Sequence, residues 1–262
     1  MKPHLRSRLV RRAAGPALAT VLAIAAGTSF AAGTSGASAV HITSADSDPQ
    51  TENAVADYNA GSLDVARQEF HAAAARGNRL AQFDYAMMLL NGEGGAKDVG
   101  AGRQWLRRAA DANMSHAQYV YGRMYDDGDF VARDPTEAHR WFLKAAKQGH
   151  VQAELSLANQ YLDGRGTPRN NRQAFYWYRK AAKGGDMTAQ YVTGSFYERG
   201  GDGVKRNLNV ARAYYAAAAA QGDQVALLKY QQLSDELMRG ARATPDAPDV
   251  PDTASAPRVT PQ

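Results

Sequence analysis

Between residues 81 and 222, apolar and small side chains recur in a fixed order. From Ala81, Ala117, Ala153 and Ala189, which stand 36 residues apart, they fall at offsets 0, 4, 5 and 8, one face of a helix. Offset 5 is always small: Ala86, Gly122, Ala158 and Gly194. Offset 8 is Leu89, Tyr125, Tyr161 and Tyr197. At offset 11 stand Gly92, Gly128, Gly164 and Gly200, placed to end that helix in the left-handed conformation. Offset 17 carries Asp98, Asp134 and Asn170, good N-caps for a second helix. That helix holds Trp105, Trp141 and Trp177, each followed by an Ala-Ala pair, and in the second unit Ala138, Trp141, Ala145 and Ala146 share a face before Gly149 stops it. Asn113 takes the glycine place in the first unit and Gly102 the first alanine place. In the fourth unit one residue is inserted after Gly200, and Asn207, Ala211, Tyr214, Ala218-Ala219 and Gly222 slip by one. Asp134-Pro135-Thr136-Glu137 reads as a capping box with proline at the first helical position, and Asn170 to Gln173 repeats it without the proline.

Each unit is therefore a pair of antiparallel helices that cannot bury its apolar faces alone, so neighbours must stack and share a core. The pattern predicts an all-α solenoid over 54–240, with units 54–80, 81–116, 117–152, 153–188 and 189–225 and a capping helix over 225–239. The unit over 54–80 is marked more loosely, by Tyr58, Gly61, Ala66, Ala73-Ala74 and Gly77. Residues 40–52 read as a linker. Residues 241–262 hold five prolines and too few bulky apolar side chains to pack a core.

The N-terminus follows another logic. Basic residues up to Arg12 precede an apolar run from Ala13 to Ala26 and then a zone of small residues, the layout of a secretory signal peptide. The run is shorter than the ~20 residues a membrane span needs. Cleavage is expected after Ala31, with Ala39 as the alternative, and the mature chain is expected to be exported, periplasmic or secreted. This segment also explains the charge. The chain has 31 Lys and Arg against 26 Asp and Glu, a net +5, and residues 1–39 contain five bases and no acid. The rest is neutral, which argues against a nucleic-acid partner. The chain has no cysteine, so disulfides, thiolate metal sites and a thiol nucleophile are excluded.

The columns of alanine, tyrosine, glycine, aspartate, tryptophan and Ala-Ala resemble the Sel-one-like repeat (SLR) family, relatives of the tetratricopeptide repeats. The resemblance covers 81–222 strongly and the flanks loosely. It implies a right-handed α/α superhelix whose first helices line a concave face, and a scaffold that binds other proteins or peptides. One secreted branch of the family ties each helix pair with a disulfide and has been linked to β-lactam binding. A chain without cysteine departs from that branch.

Candidate chemistry is thin. His71, His116, His139 and His150 occupy different units at different offsets, and no metal, cofactor or catalytic residue is expected. Asp126, Asp127, Asp129 and Asp134 do not follow the order of a calcium loop. Gly92 to Gly95 and Gly200 to Gly203 follow no strand and carry no Lys-Ser/Thr, so they read as helix-to-helix turns. Lys and Arg gather on second helices, among them Arg107, Arg108, Lys144 and Lys180, and read as a solvated face, the alternative being a weak attraction to anionic lipid or peptidoglycan.

Partner binding is expected on the face of the first helices opposite offsets 0, 4, 5 and 8. The candidates are Phe83 and Met87; Tyr119, Arg123 and Asp126; Leu155 and Asn159; and Tyr191, Ser195 and Glu198. Phe83, Tyr119, Leu155 and Tyr191 at offset 2 would make an apolar stripe. The alternative is that offset 2 packs against the adjacent helix. The function expected is a non-catalytic, exported scaffold holding a protein or peptide, one form being an immunity or inhibitor protein for a toxic exported enzyme. The alternatives are an envelope-assembly or polysaccharide-export scaffold, and a weak enzyme acting on β-lactams or peptidoglycan.

Overall fold

The computed structural model describes residues 49–243. They form eleven helices: α1 (Pro49–Ala60), α2 (Leu63–Ala75), α3 (Arg79–Asn91), α4 (Val99–Asp111), α5 (Ser115–Asp127), α6 (Pro135–Lys147), α7 (Val151–Asp163), α8 (Asn171–Lys183), α9 (Met187–Arg199), α10 (Leu208–Ala220) and α11 (Gln224–Ala243). The protein is an all-α solenoid of helix pairs closed by a single last helix. None of these helices is long and apolar enough to cross a membrane. The chain divides within α9 into two compact units, one ending at Ala189 and one beginning at Gln190.

In the first unit α1 packs on α2, α3 on α4, α5 on α6 and α7 on α8, while α2, α4 and α6 each also pack on the first helix of the next pair. The alanines at offset 0, Ala81, Ala117 and Ala153, are fully buried. Small offset-5 residues let the second helix come close. A Cβ added at Gly122 would lie 2.8 Å from the Phe142 ring. Trp141 and Trp177 are buried, and Trp105 is half-buried. In the second unit α10 packs on α11 around Tyr215, Ala218, Ala226 and Leu233.

The caps follow the sequence closely. Asp98, Asp134, Asn170 and Asn207 each accept a backbone N–H in the first turn of the helix that follows. Gly92, Gly128 and Gly164 take the left-handed conformation at the ends of α3, α5 and α7. The loop between them is closed by a bond of its own. The N–H of the N-cap residue donates to the carbonyl at offset 8: Asp98 to Leu89, Asp134 to Tyr125, Asn170 to Tyr161 and Asn207 to Tyr197, at 2.8–2.9 Å. This bond leaves only half of the expected capping box in α6 formed. Asp134 accepts from Thr136 and Glu137, but its own N–H is committed to Tyr125, so the Glu137 carboxylate turns to Trp141 Nε1 and Arg140.

The inserted residue of the fourth unit is absorbed in a tight turn. Gly201 and Val204 exchange two backbone hydrogen bonds, and Asp202 and Gly203 between them both have positive φ. The Asn207–Tyr197 closure is thereby kept.

Two boundaries differ from the expectation. Residues 49–52, expected in a linker, are the first turn of α1, with Pro49 as its first residue, where a fixed φ favours helix entry. The last helix runs past residue 239 to Ala243, because Ala241, Arg242 and Ala243 are strong helix formers and the first proline is Pro245. The expected signal peptide, most of the expected linker and the proline-rich end lie outside the described residues.

Candidate functional site

The first helices of the stack carry the candidate partner-binding residues, and the structure narrows them. Phe83 and Asp126, expected on the open face, are buried. Phe83 lies edge-on to His116 in the first turn of α5, its ring centroid 5.0 Å away. At offset 9 of the same helix Leu90 is buried too, because α4 has Gly102 there and closes onto it; a Cβ at Gly102 would meet Leu90 at 2.8 Å. Asp126 accepts from Arg165 Nη1 at 2.9 Å and from Gln160 Nε2 at 3.4 Å, a clasp between the second and third repeats.

Met87, Tyr119, Leu155 and Asn159 are half-buried, and Arg123 is exposed. On α5, Arg123 donates to Asp127 and reaches the Tyr119 hydroxyl at 3.4 Å, so Tyr119, Arg123 and Asp127 form a ladder along one helix face. The inner edge of the Tyr119 ring packs on Phe142 and stacks on His150. Asn159 accepts the hydroxyl proton of Tyr178 on α8, and burial pushes that phenol up to about 12. In the second unit Tyr191, Ser195 and Glu198 are half-buried on α9. Tyr191 packs on Tyr215. Glu198 accepts from the Tyr215 hydroxyl and from Lys229 Nζ. Burial alone raises the Glu198 carboxyl, but these two bonds, with the charges of Lys229 and Arg206, outweigh it and hold it below the usual range. Offset 2 is thus a row of inter-helix contacts with one exposed edge in places, not an open apolar stripe.

Two arrangements were missed by the sequence reading. The first is a histidine pair. His116 Nδ1, in the first turn of α5, and His150 Nε2, at the N-cap of α7, are 3.2 Å apart. His150 Nδ1 accepts the Ala153 N–H as N-cap of α7, so its Nε2 carries the proton and donates to His116. Burial, and then the charge His116 would bring, lower His150 to about 4; burial lowers His116 as well. The ring centroids are 5.5 Å apart, longer than the nitrogen contact by two ring radii, so the nitrogens point at one another rather than at a shared ion. No group of three His, Asp or Glu side chains that could hold a metal ion occurs among the described residues.

The second is a polar column at offset 1. Gln118 Nε2 donates to the carbonyl of Ala110, and Gln82 Nε2 to that of Ala74, in each case the second alanine of the preceding Ala-Ala pair. Glu154 takes the same place in the third unit, buried, with Lys180 Nζ at 3.9 Å. Burial pushes its carboxyl up to about 7 against the pull of Lys180.

One chain of polar contacts has the outline of an acid–base relay: His139 to Gln160, Gln160 to Asp126, Asp126 to Arg165. An amide between imidazole and carboxylate has no proton to pass, so the chain holds repeats together and moves no charge.

The model of the Sel1 repeat matches residues 79–114, 115–150, 151–186 and 188–223, each beginning within a residue of the start of α3, α5, α7 and α9. The chain belongs to the Sel1-repeat family. Among solved structures it is similar to a Sel1 repeat protein from Oxalobacter formigenes, with 32% identity, a TM-score of 0.63, and 68% of this chain and 73% of that one covered. It is also similar to a protective antigen of uropathogenic Escherichia coli strains displaying an SLR fold, with 28% identity and a TM-score of 0.68. That match covers 73% of this chain but only 42% of the antigen. No curated protein matches the sequence. Sel1 repeats are in general non-catalytic scaffolds for protein–protein interaction. Four of the candidate residues, Tyr119, Arg123, Leu155 and Asn159, lie on α5 and α7 of the second and third repeats, Arg123 exposed and the others half-buried.

Proposed function

We propose that this Sel1-repeat protein is an exported scaffold that holds a protein or peptide segment on the first-helix face of its second and third repeats. The observation that carries this reading is the ladder on α5. Tyr119 is anchored at its inner edge, and Arg123 stands exposed and pre-oriented by Asp127, so little side-chain freedom is lost when a partner docks. Met87 on one side and Leu155 on the other supply half-exposed apolar area. Tyr and Arg in such a setting are the residue types that dominate binding energy at interfaces.

The test is the affinity of the partner recovered from an envelope fraction, measured together with the urea midpoint. Truncating both Tyr119 and Arg123 to alanine should weaken binding roughly a hundredfold, from ~2 kcal/mol or more at each of two hot spots that partly add. Removing residues 244–262 should leave affinity unchanged. Normal binding by the double variant, or collapse of its midpoint, would reject the face. Export is tested separately: N-terminal sequencing of the cell-envelope form should start after Ala31 or Ala39, and finding Met1 there would reject it.

A further inference from the structure

Charge over α3 to α8 is sorted by helix. The second helices α4, α6 and α8 carry ten Lys and Arg against two acids, Asp111 and Glu137. The second helix α2 does not share the excess, with Arg67 against Asp64 and Glu69. The first helices α3, α5 and α7 carry two Arg against five Asp and Glu. The neutral sum over the mature chain hides this sorting.

Part of it has a local cause, since Lys144, Lys147, Lys180 and Lys183 lie in last turns, where the helix dipole favours cations. That cause does not reach Arg103, Arg140 or Arg172, which lie in the first half of their helices, Arg172 in the first turn, where the dipole opposes a cation. All three are exposed, Arg140 in an ion pair with Glu137 at 2.9 Å, and so are Lys144, Lys147 and Arg107, the last 3.4 Å from Asp111. Because α4, α6 and α8 hold the same place in three successive repeats, these charges recur along one side of the stack.

We propose that the second-helix side of the first unit is a docking surface for an anionic lipid bilayer. Charge complementarity selects a polyanion, and the layout selects a surface. The cations are spread over three helices. The tryptophan rings, which a single-stranded nucleic acid would need for stacking, are already covered, by Arg108 at 4.3 Å from the centre of Trp105 and Lys144 at 3.7 Å from that of Trp141. Tyr176, 41% exposed beside Lys180, places one amphipathic ring among the cations, as at bilayer interfaces. Each Lys or Arg brought to an anionic leaflet adds a modest attraction, and an array of them adds up to stable association. Docking on this side leaves the first-helix side open, so the two surfaces can work together or alone.

The experiment is vesicle co-sedimentation of the mature chain. One vesicle type is phosphatidylcholine alone, and the other contains about one-third phosphatidylglycerol, each at about 50 mM and about 300 mM salt. The charge-reversed variant carries Arg103→Glu, Lys147→Glu and Lys183→Glu, and Arg79→Glu on the first helix α3 serves as its control. The result expected is binding to the phosphatidylglycerol vesicles only, weakened by salt. The triple variant should bind at least a hundredfold less tightly, with an unchanged helical spectrum and urea midpoint, and Arg79→Glu should bind as the parent does. Equal binding to both vesicle types, no binding at low salt, or equal loss in the Arg79 control would overturn the proposal. So would polyuridylate or a soluble acidic protein displacing the vesicles at equal charge concentration, which would assign the face to that partner instead.

Discussion

Replacing Asp84 by valine should stabilise the protein, and by an amount that grows with pH. Asp84 sits at offset 3 of α3, where the next repeats have Val120 and Ser156. It is buried, and its Oδ1 has no hydrogen-bond partner. Burial pushes its carboxyl from the ordinary 3.8 up to about 7. The sign follows from proton counting. Between those two values the unfolded chain has lost the proton and the folded chain keeps it, so stability is full below about pH 4 and falls as pH rises toward 7. The slope is ~1.4 kcal/mol per pH unit, which makes the loss about 3 kcal/mol between pH 5 and pH 8. Valine has no proton to lose, and it fills the site with groups that need no partner. The assay is urea unfolding of parent and Asp84→Val at pH 5 and pH 8. The variant should be modestly more stable at pH 5 and ahead by about 3 kcal/mol more at pH 8. The comparison between proteins cancels the histidines, which titrate in both. Two parallel pH profiles, or a variant weaker at pH 8, would show that Asp84 is satisfied by a contact and refute the argument.

Other perturbations have equally definite outcomes. Trp141→Ala removes a buried ring that packs edge-on to Tyr121 and should cost ~3–5 kcal/mol in urea midpoint measurements, whereas the half-buried Trp105 should cost clearly less. Gly122→Ala should cost ~1–3 kcal/mol, because the new methyl meets the buried Phe142 ring and Phe142 has nowhere to go. An unchanged melting curve would show that α5 and α6 can part. Acid should weaken the junction of the second and third repeats. The folded pKa of His150 lies below its ordinary value, so its contribution is full above about pH 6.5 and is lost as pH falls toward 4. Protonation at Nδ1 removes the cap on Ala153, and a proton on His116 Nδ1 would face the His150 N–H. His116→Phe should flatten that part of the pH profile, and an unchanged profile would show that the pair does not titrate together.

The period, the caps and the glycine stops were legible because each is a local requirement: an αL position, an acceptor before a first turn, a small residue where helices touch. Even the insertion after Gly200 could be read as a slip of one. The open face was read less well, for a physical reason. A surface helix has one buried arc, but a first helix in a stack touches its own second helix, the second helix before it and the first helix after it. Its buried arc is therefore wider than offsets 0, 4, 5 and 8. Met88, Met124 and Gln160 at offset 7 are all buried, and so is the glutamine column at offset 1. That column was visible as Gln82, Gln118, Glu154 and Gln190 in register, a polar series too regular for a solvated face. The histidine pair was legible only in hindsight. Residues 34 apart in a 36-residue repeat lie close together across the joint, whatever their offsets suggest on one helix.

The central claim is that a partner lies along the first-helix face of the second and third repeats. Site-specific photo-crosslinking tests it most directly, with benzoylphenylalanine placed singly at Leu155 and Leu162 on α7 and at Arg103 and Lys147 on the second helices. The account predicts that irradiation in the cell envelope yields the same discrete protein adduct from both α7 positions and none from the other two. Adducts from the second-helix positions alone would contradict it.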